Sequence, residues 1–185
     1  MHWHSTGTLT AHPALGSPGL LAIPVRRALE ASDPDWAGRV GVAAIDPDLA
    51  DTADFCARYG VAPEASANCV VIRGKRSGEV RFAACMVLAT TRADVNGVVR
   101  RRLDARTASF APMDEAVALT GMEYGGITPL GLPDDWPILV DAAVAATAEV
   151  VIGSGIRGSK LFLPGADLAA LPQAEVIDGL ARPVG

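Results

Sequence analysis

Apolar residues alternate with period two, or run continuously, in several short stretches, and recur at helical spacing in others. Arg39–Ile45 (RVGVAAI), Ser66–Arg73 and Glu79–Ala89 predict strands, the last two joined as a hairpin through Gly74-Lys75-Arg76-Ser77-Gly78. Thr107–Phe110, Pro137–Val140, Val150–Gly153 and Leu161–Leu163 predict further short strands. Helical spacing covers Ser17–Ser32, with Val25, Ala28 and Leu29 on one side. It returns after the Asp46-Pro47 start signal, where Leu49, Ala53, Cys56 and Tyr59 recur until Gly60. Thr91–Leu103, with Val95, Val98 and Val99 inward, Pro112–Thr120 and Asp141–Thr147 predict three more helices. A hairpin amid this irregular order excludes a purely parallel doubly wound sheet. The expectation is a single α/β domain with a mixed, strongly twisted sheet surrounded by helices. Residues 1–35 are expected to form an N-terminal helix and loose tail, and 36–185 the domain proper.

At 185 residues the chain is long enough to bury a sizeable core, and half its residues are hydrophobic. No apolar run approaches the roughly 18 residues that span a bilayer, and the N-terminus lacks a signal-peptide pattern. A cytoplasmic protein is the expectation. Cys56, Cys69 and Cys85 have no C-x-x-C spacing, which argues against a disulfide framework. All three histidines, His2, His4 and His12, lie in the first twelve residues, so a histidine-assisted nucleophile would have to recruit that segment. Neither a metal site nor a cofactor is predicted.

Charge is unevenly spread. Arg73–Arg106 holds nine of the 16 basic residues and only Glu79, Asp94 and Asp104 of the 21 acidic ones. The local excess of positive charge, in a chain of net charge −5, suggests a polyanion-facing surface carried by Lys75, Arg100, Arg101 and Arg102. A solvated helix face accounts for the same arginines. Without a helix-turn-helix, zinc-finger or aromatic RNA-binding signature, duplex DNA is disfavoured, and an RNA acceptor stem needs only a modest patch of phosphate contacts.

The richest stretch for chemistry is Leu119–Lys160, where glycine-dense turns at Gly121–Gly131 and Gly153–Gly158 interrupt apolar chain. Glycine lets backbone amides approach a ligand with no Cβ in the way. The two turns are expected to wall one pocket, with Gly125, Gly126, Gly153, Ser154 and Gly155 supplying amide donors for an oxyanion. Thr120, Gly121, Ile127, Thr128 and Pro129 flank the first turn as candidate binding residues. Asp141 reads either as a helix cap or as a pocket carboxylate. Lys160, just after the second turn, reads either as a lysine at the pocket mouth or, by preference, as an exposed lysine beside a loop.

The run Gly125-Gly126-Ile127-Thr128-Pro129-Leu130-Gly131, with Thr120-Gly121, Asp141 and Gly153-Ser154-Gly155, resembles the YbaK/ProX family of aminoacyl-tRNA editing domains, related to the insertion domain of bacterial prolyl-tRNA synthetase. The resemblance covers about residues 48–178. It implies the same mixed α/β fold and a free-standing deacylase, assisted by the substrate's own hydroxyl, that clears a mischarged amino acid from a tRNA(Pro)-type substrate. The partners it implies are a tRNA acceptor end and a synthetase. Relatives carry a lysine on the strand where this chain has Asn68, a residue credited with holding the tRNA 3′ end. An asparagine there implies slowed or altered catalysis, or a binding module without turnover. On this reading Asn68→Lys should raise deacylation.

Overall fold

Glycine, proline and aspartate punctuate the chain so often that its elements stay short in the computed structural model, which describes residues 3–184. His2 lies outside them. β1 (His12–Pro13) leads through 3-10 turns at Ala14–Gly16 and Pro18–Leu20 into α1 (Ile23–Ala31) and α2 (Pro34–Ala37). β2 (Gly41–Ala44) precedes α3 (Thr52–Tyr59), which Gly60 ends in the left-handed conformation at φ 69°. β3 (Ala67–Arg76) and β4 (Glu79–Leu88) form a hairpin turning on Ser77-Gly78. Next come β5 (Thr91–Ala93), a π turn at Val95–Val99, α4 (Arg100–Arg102), β6 (Thr107–Phe110) and α5 (Met113–Thr120). The chain closes with β7 (Ile138–Asp141), α6 (Ala142–Ala146), β8 (Val150–Gly153), β9 (Ser159–Leu163), α7 (Gly165–Ala169), β10 (Ala174–Ile177) and β11 (Ala181–Pro183).

The strands form a four-stranded sheet in the order β1-β2-β9-β8, a five-stranded sheet in the order β10-β7-β4-β3-β6, and the small pair β11-β5. The five-stranded sheet is mixed: β7 runs parallel to β4 and to β10, whereas β3 is antiparallel to both β4 and β6. A parallel bridge between Ser66 and Val151 joins the two larger sheets where β3 begins. The expected mixed α/β architecture is therefore present.

Alternation along the strands sorts the apolar side chains into three cores. On β4, Ala84, Met86 and Leu88 join the central core with Leu161 and Leu163 of β9, Val25 and Leu29 of α1, and Leu168 of α7. Ala83, Cys85 and Val87 of the same strand face a second core with Ile72, Val99, Leu103 and Leu180. Ala43, Val151 and Phe162 turn to the opposite side of the four-stranded sheet, where Phe55 and Cys56 of α3 cover them.

Three predicted helices differ. The one expected after Asp46-Pro47 splits into a 3-10 turn at Pro47–Leu49, capped by Asp46, and α3, which begins only at Thr52. Ser17–Ser32 becomes helical only at Ile23, because Pro18 starts a separate 3-10 turn and Pro24 suits the first turn of the later helix. Thr91–Leu103 begins as a strand, since Thr91–Ala93 pairs with Ala181–Pro183 almost ninety residues later. Its helical part starts where the Asp94 carboxylate accepts from the Gly97 amide at 3.0 Å. The expected loose N-terminal tail is tied down from Trp3 onward. The Trp3 indole is buried and donates to the Arg39 carbonyl at 2.9 Å, and the His4 and Ser5 amides donate to the Glu149 carboxylate.

Candidate functional site

β6 pairs with Ile72–Lys75 of β3, Ala111 N–H reaches the Val71 carbonyl at 2.9 Å, and Ser66 bridges Val151 of β8, so the stretch of this edge without a partner strand among the described residues is short, Asn68–Val70. A cavity of about 280 Å³ opens along this edge. Its walls include Asn68 and Cys69 of β3, Gly125 and Ile127 of the first glycine turn, Gly153 at the end of β8, and Lys160 of β9. Asp51 and Thr52 at the start of α3 close one side; Phe110 and Tyr124, each more than half exposed, border the opening. The pairing of Ala89 N–H with Ser66 C=O fixes which backbone groups of β3 face β4. By strand alternation the Cys69 N–H and C=O point the other way, along the uncovered edge.

The two glycine turns meet, and more closely than a cleft would allow. Gly155 N–H donates to Gly126 C=O at 2.7 Å, and Glu123 N–H donates to Gly155 C=O at 2.8 Å. A Cβ on Gly153 would lie 2.3 Å from the Gly126 carbonyl oxygen, and one on Gly126 would lie 2.6 Å from the Ile156 backbone. Glycine is required at both positions because main chain packs on main chain. Arg157 ties the outside of the junction: its amide donates to Glu123 at 2.7 Å and its guanidinium to the Pro47 carbonyl at 3.1 Å.

This contact corrects the assignment of amide donors. The N–H groups of Gly126 and Gly155 are occupied, by Glu123 C=O and Gly126 C=O respectively. Ser154 is fully buried, with its hydroxyl 2.7 Å from the Ser159 hydroxyl, and does not border the cavity. Only Gly125 and Gly153 of the five reach the wall.

Of the flanking candidates, Ile127 lines the cavity and the others do not. Thr120 ends α5 internally, its hydroxyl donating to Ala116 C=O at 2.8 Å, and Gly121 caps that helix at φ 65°. Thr128 and Pro129 are buried behind the turn. Asp141 is a structural cap: one carboxylate oxygen accepts from Ala143 N–H and the other from Ala181 N–H, both at 2.9 Å. One oxygen is tied to a helix start and the other to a strand 40 residues away, and Asp141 does not border the cavity, so the pocket-carboxylate reading falls.

Asn68 does reach the cavity, where its Oδ1 accepts from the Thr52 hydroxyl at 2.5 Å. The larger departure is Lys160, expected as an exposed lysine and found only 7% exposed. It sits mid-sheet, opposite Gly153 on β8 and Ala43 on β2. Its ammonium donates to the Ala50 carbonyl at 2.8 Å and lies 5.1 Å from the centre of the Phe55 ring. Burial lowers its pKa to about 8, with Arg157 adding to the shift and Cys56 and Asp51 opposing it. All five residues of β9 are buried, a placement that period-two alternation does not signal.

The basic segment is partly neutralised, by its own Glu79 and Asp104 and by Glu115 and Glu175 from elsewhere in the chain. Arg73 pairs with Glu115 at 3.0 Å, Arg81 with Glu79 at 3.1 Å, Arg76 with Asp104, and Arg102 with Glu175. Arg100 donates to its own helix at Asn96 C=O. Among the described residues Lys75, Arg92, Arg100, Arg101 and Arg106 have no carboxylate within ion-pair distance. Lys75 and Arg106 border a shallow hollow at the β3–β4 tip, about 23 Å from Asn68 along the extended strand. On the reading of this segment as a polyanion-facing surface, neutralising Lys75, Arg101 and Arg106 together is expected to weaken RNA binding and flatten its salt dependence, by about 0.7–0.9 in log–log slope for each phosphate that is no longer neutralised. Titrations from low to moderate salt check this; an unchanged slope removes the segment from RNA binding.

Among the described residues no helix is long and apolar enough to cross a membrane. The fold is shared with solved structures of low sequence identity. A hypothetical protein matches with a TM-score of 0.71 at 19% identity, over 84% of this chain and 99% of its own. A candidate trans-editing enzyme for prolyl tRNA synthetase matches with a TM-score of 0.69 at 22% identity, over 85% of this chain and 97% of its own. A candidate signal transduction protein from Marinobacter aquaeolei matches at 0.55 and 20% identity over 87% of this chain but 31% of its own, so there the fold is one part of a longer chain. The sequence model of the aminoacyl-tRNA editing domain matches residues 46–171, which span both glycine turns, Asn68 and Lys160, and this chain belongs to that family.

Proposed function

We propose that the protein is an aminoacyl-tRNA deacylase acting in trans, which hydrolyses the ester of a wrongly attached amino acid on a tRNA(Pro)-type substrate in the cytoplasm. The observation that carries this reading is the cavity: both glycine turns wall it, Asn68, Thr52 and Lys160 supply polar groups, and Ala67, Val71 and Ile127 supply apolar wall. The similarity to a candidate trans-editing enzyme for prolyl tRNA synthetase supports the substrate class. The tRNA acceptor end is the partner, and a synthetase a second one.

The thiols here are poor nucleophiles. Cys69 borders the cavity, but burial holds its thiol protonated, and burial likewise raises Cys85 to about 12. Attack therefore falls to a held water or to the substrate's ribose hydroxyl. The oxyanion takes its hydrogen bond from the Cys69 amide on the open stretch of β3, in place of the Gly126 and Gly155 amides, which are occupied. One such donor lowers a barrier by about 3 kcal/mol.

The test is a panel of mischarged tRNAs incubated with the purified protein. Release of the amino acid from at least one tRNA(Pro)-type substrate is expected. Binding without turnover across the whole panel would replace this reading with that of a binding module, the alternative that Asn68 motivates.

A further inference from the structure

Lys160 is a buried cation that its surroundings leave incompletely paired. An ammonium has three donors, and one of them is used, on the Ala50 carbonyl. Among the described residues no carboxylate lies within ion-pair distance of it. Ammonium groups are seldom buried without a counter-charge, since the lost hydration is costly. The Phe55 ring face recovers only part of that loss. The stem is fixed by its place in the middle of a sheet, and the residue borders the same cavity as Asn68. A group held this way is organised for an anion that arrives with the ligand.

The proposed substrate narrows the choice of anion. An aminoacyl ester has no free carboxylate, and its α-amino group is cationic and would be repelled. The phosphodiester preceding the terminal nucleoside is the anion nearest the ester. We propose that Lys160 is the cavity's anion anchor and binds the 3′-terminal phosphodiester of tRNA, so that the charge missing at Asn68 on β3 is supplied from β9 of the other sheet. The inference rests on the editing reading for the identity of the ligand. It reverses one expectation: with Lys160 in place, Asn68→Lys crowds two ammonium groups into one cavity and does not improve the wild-type protein.

The experiment measures affinity for uncharged tRNA with an intact 3′ end and for the same tRNA lacking its terminal nucleotide. Wild type is expected to prefer the intact form. Lys160→Met and Lys160→Gln should each lose about tenfold or more on the intact form, the scale of one charge-assisted hydrogen bond, and nothing on the trimmed form. Lys160→Gln keeps a donor for the Ala50 carbonyl and decides the matter if Lys160→Met does not fold. Adding Asn68→Lys to Lys160→Met should recover most of the loss, and no recovery overturns the exchange of charge between the two strands. Unchanged affinity of folded Lys160→Gln for intact tRNA overturns the anchor and leaves the deacylase reading to its own assay. The reverse result, loss of 3′-end binding with no turnover on any mischarged tRNA, keeps the anchor and removes the deacylase.

Discussion

Gly153→Ala is expected to destabilise the protein by about 3 kcal/mol, the upper range for forcing atoms into a packed interior, and to abolish deacylation. The added methyl would lie 2.3 Å from the Gly126 carbonyl oxygen and 2.8 Å from the Gly126 carbonyl carbon and the Ile127 carbonyl oxygen. All three are main-chain atoms, so no side-chain rotation relieves the clash. The turns must separate, breaking the 2.7 Å hydrogen bond from Gly155 to Gly126 and moving Gly125 and Ile127 in the cavity wall. Gly158 is the control, because nothing lies within 4 Å of a Cβ placed there and its φ is outside the left-handed region. Denaturant midpoints and turnover of the two variants check this. A Gly153→Ala protein as stable and active as Gly158→Ala would show that the junction of the turns yields without consequence.

Lys160→Met is expected to raise stability near neutral pH while weakening ligand binding. The folded-state pKa is about 8 against an ordinary 10.5, so between these values the unfolded chain binds more protons than the folded one. Stability from this group therefore rises as pH climbs from 8 to 10.5, and below pH 8 the full penalty of about 3 kcal/mol applies. Methionine removes the penalty but leaves the Ala50 carbonyl without its donor, so a net gain of about 1–2 kcal/mol at pH 7 is expected. The difference between wild type and variant isolates Lys160. Denaturant unfolding at pH 7 and pH 10 measures it. The wild type should close the gap, or overtake the variant, at the higher pH; a constant gap, or a variant weaker at both, contradicts the burial penalty. A gain of this size in Lys160→Met, together with weaker ligand binding, would be the stability–function trade-off that accompanies the anchor role.

Much of the local structure was legible in the order of residues. The glycines that end α3 and α5, the caps at Asp46 and Asp141, the hairpin between β3 and β4, and the alternation that splits β4 between two cores all follow from residues a few positions apart. The glycine-rich runs likewise announce close main-chain approach, and their meeting was legible from their density. Which groups were left over for chemistry depended instead on long-range packing. The amides of Gly126 and Gly155 were spent on the partner turn, and both Asp141 oxygens were tied down once Ala181 arrived from 40 residues away. Thr91–Ala93 became a strand because β11 offered it an edge. Lys160 was buried because α3 covers the outer face of the four-stranded sheet, a fact that no spacing within Ser159–Leu163 encodes. Periodicity reports which face of an element is apolar; whether a second layer covers the other face, and whose hydrogen bonds are consumed in doing so, depends on segments far away in the chain.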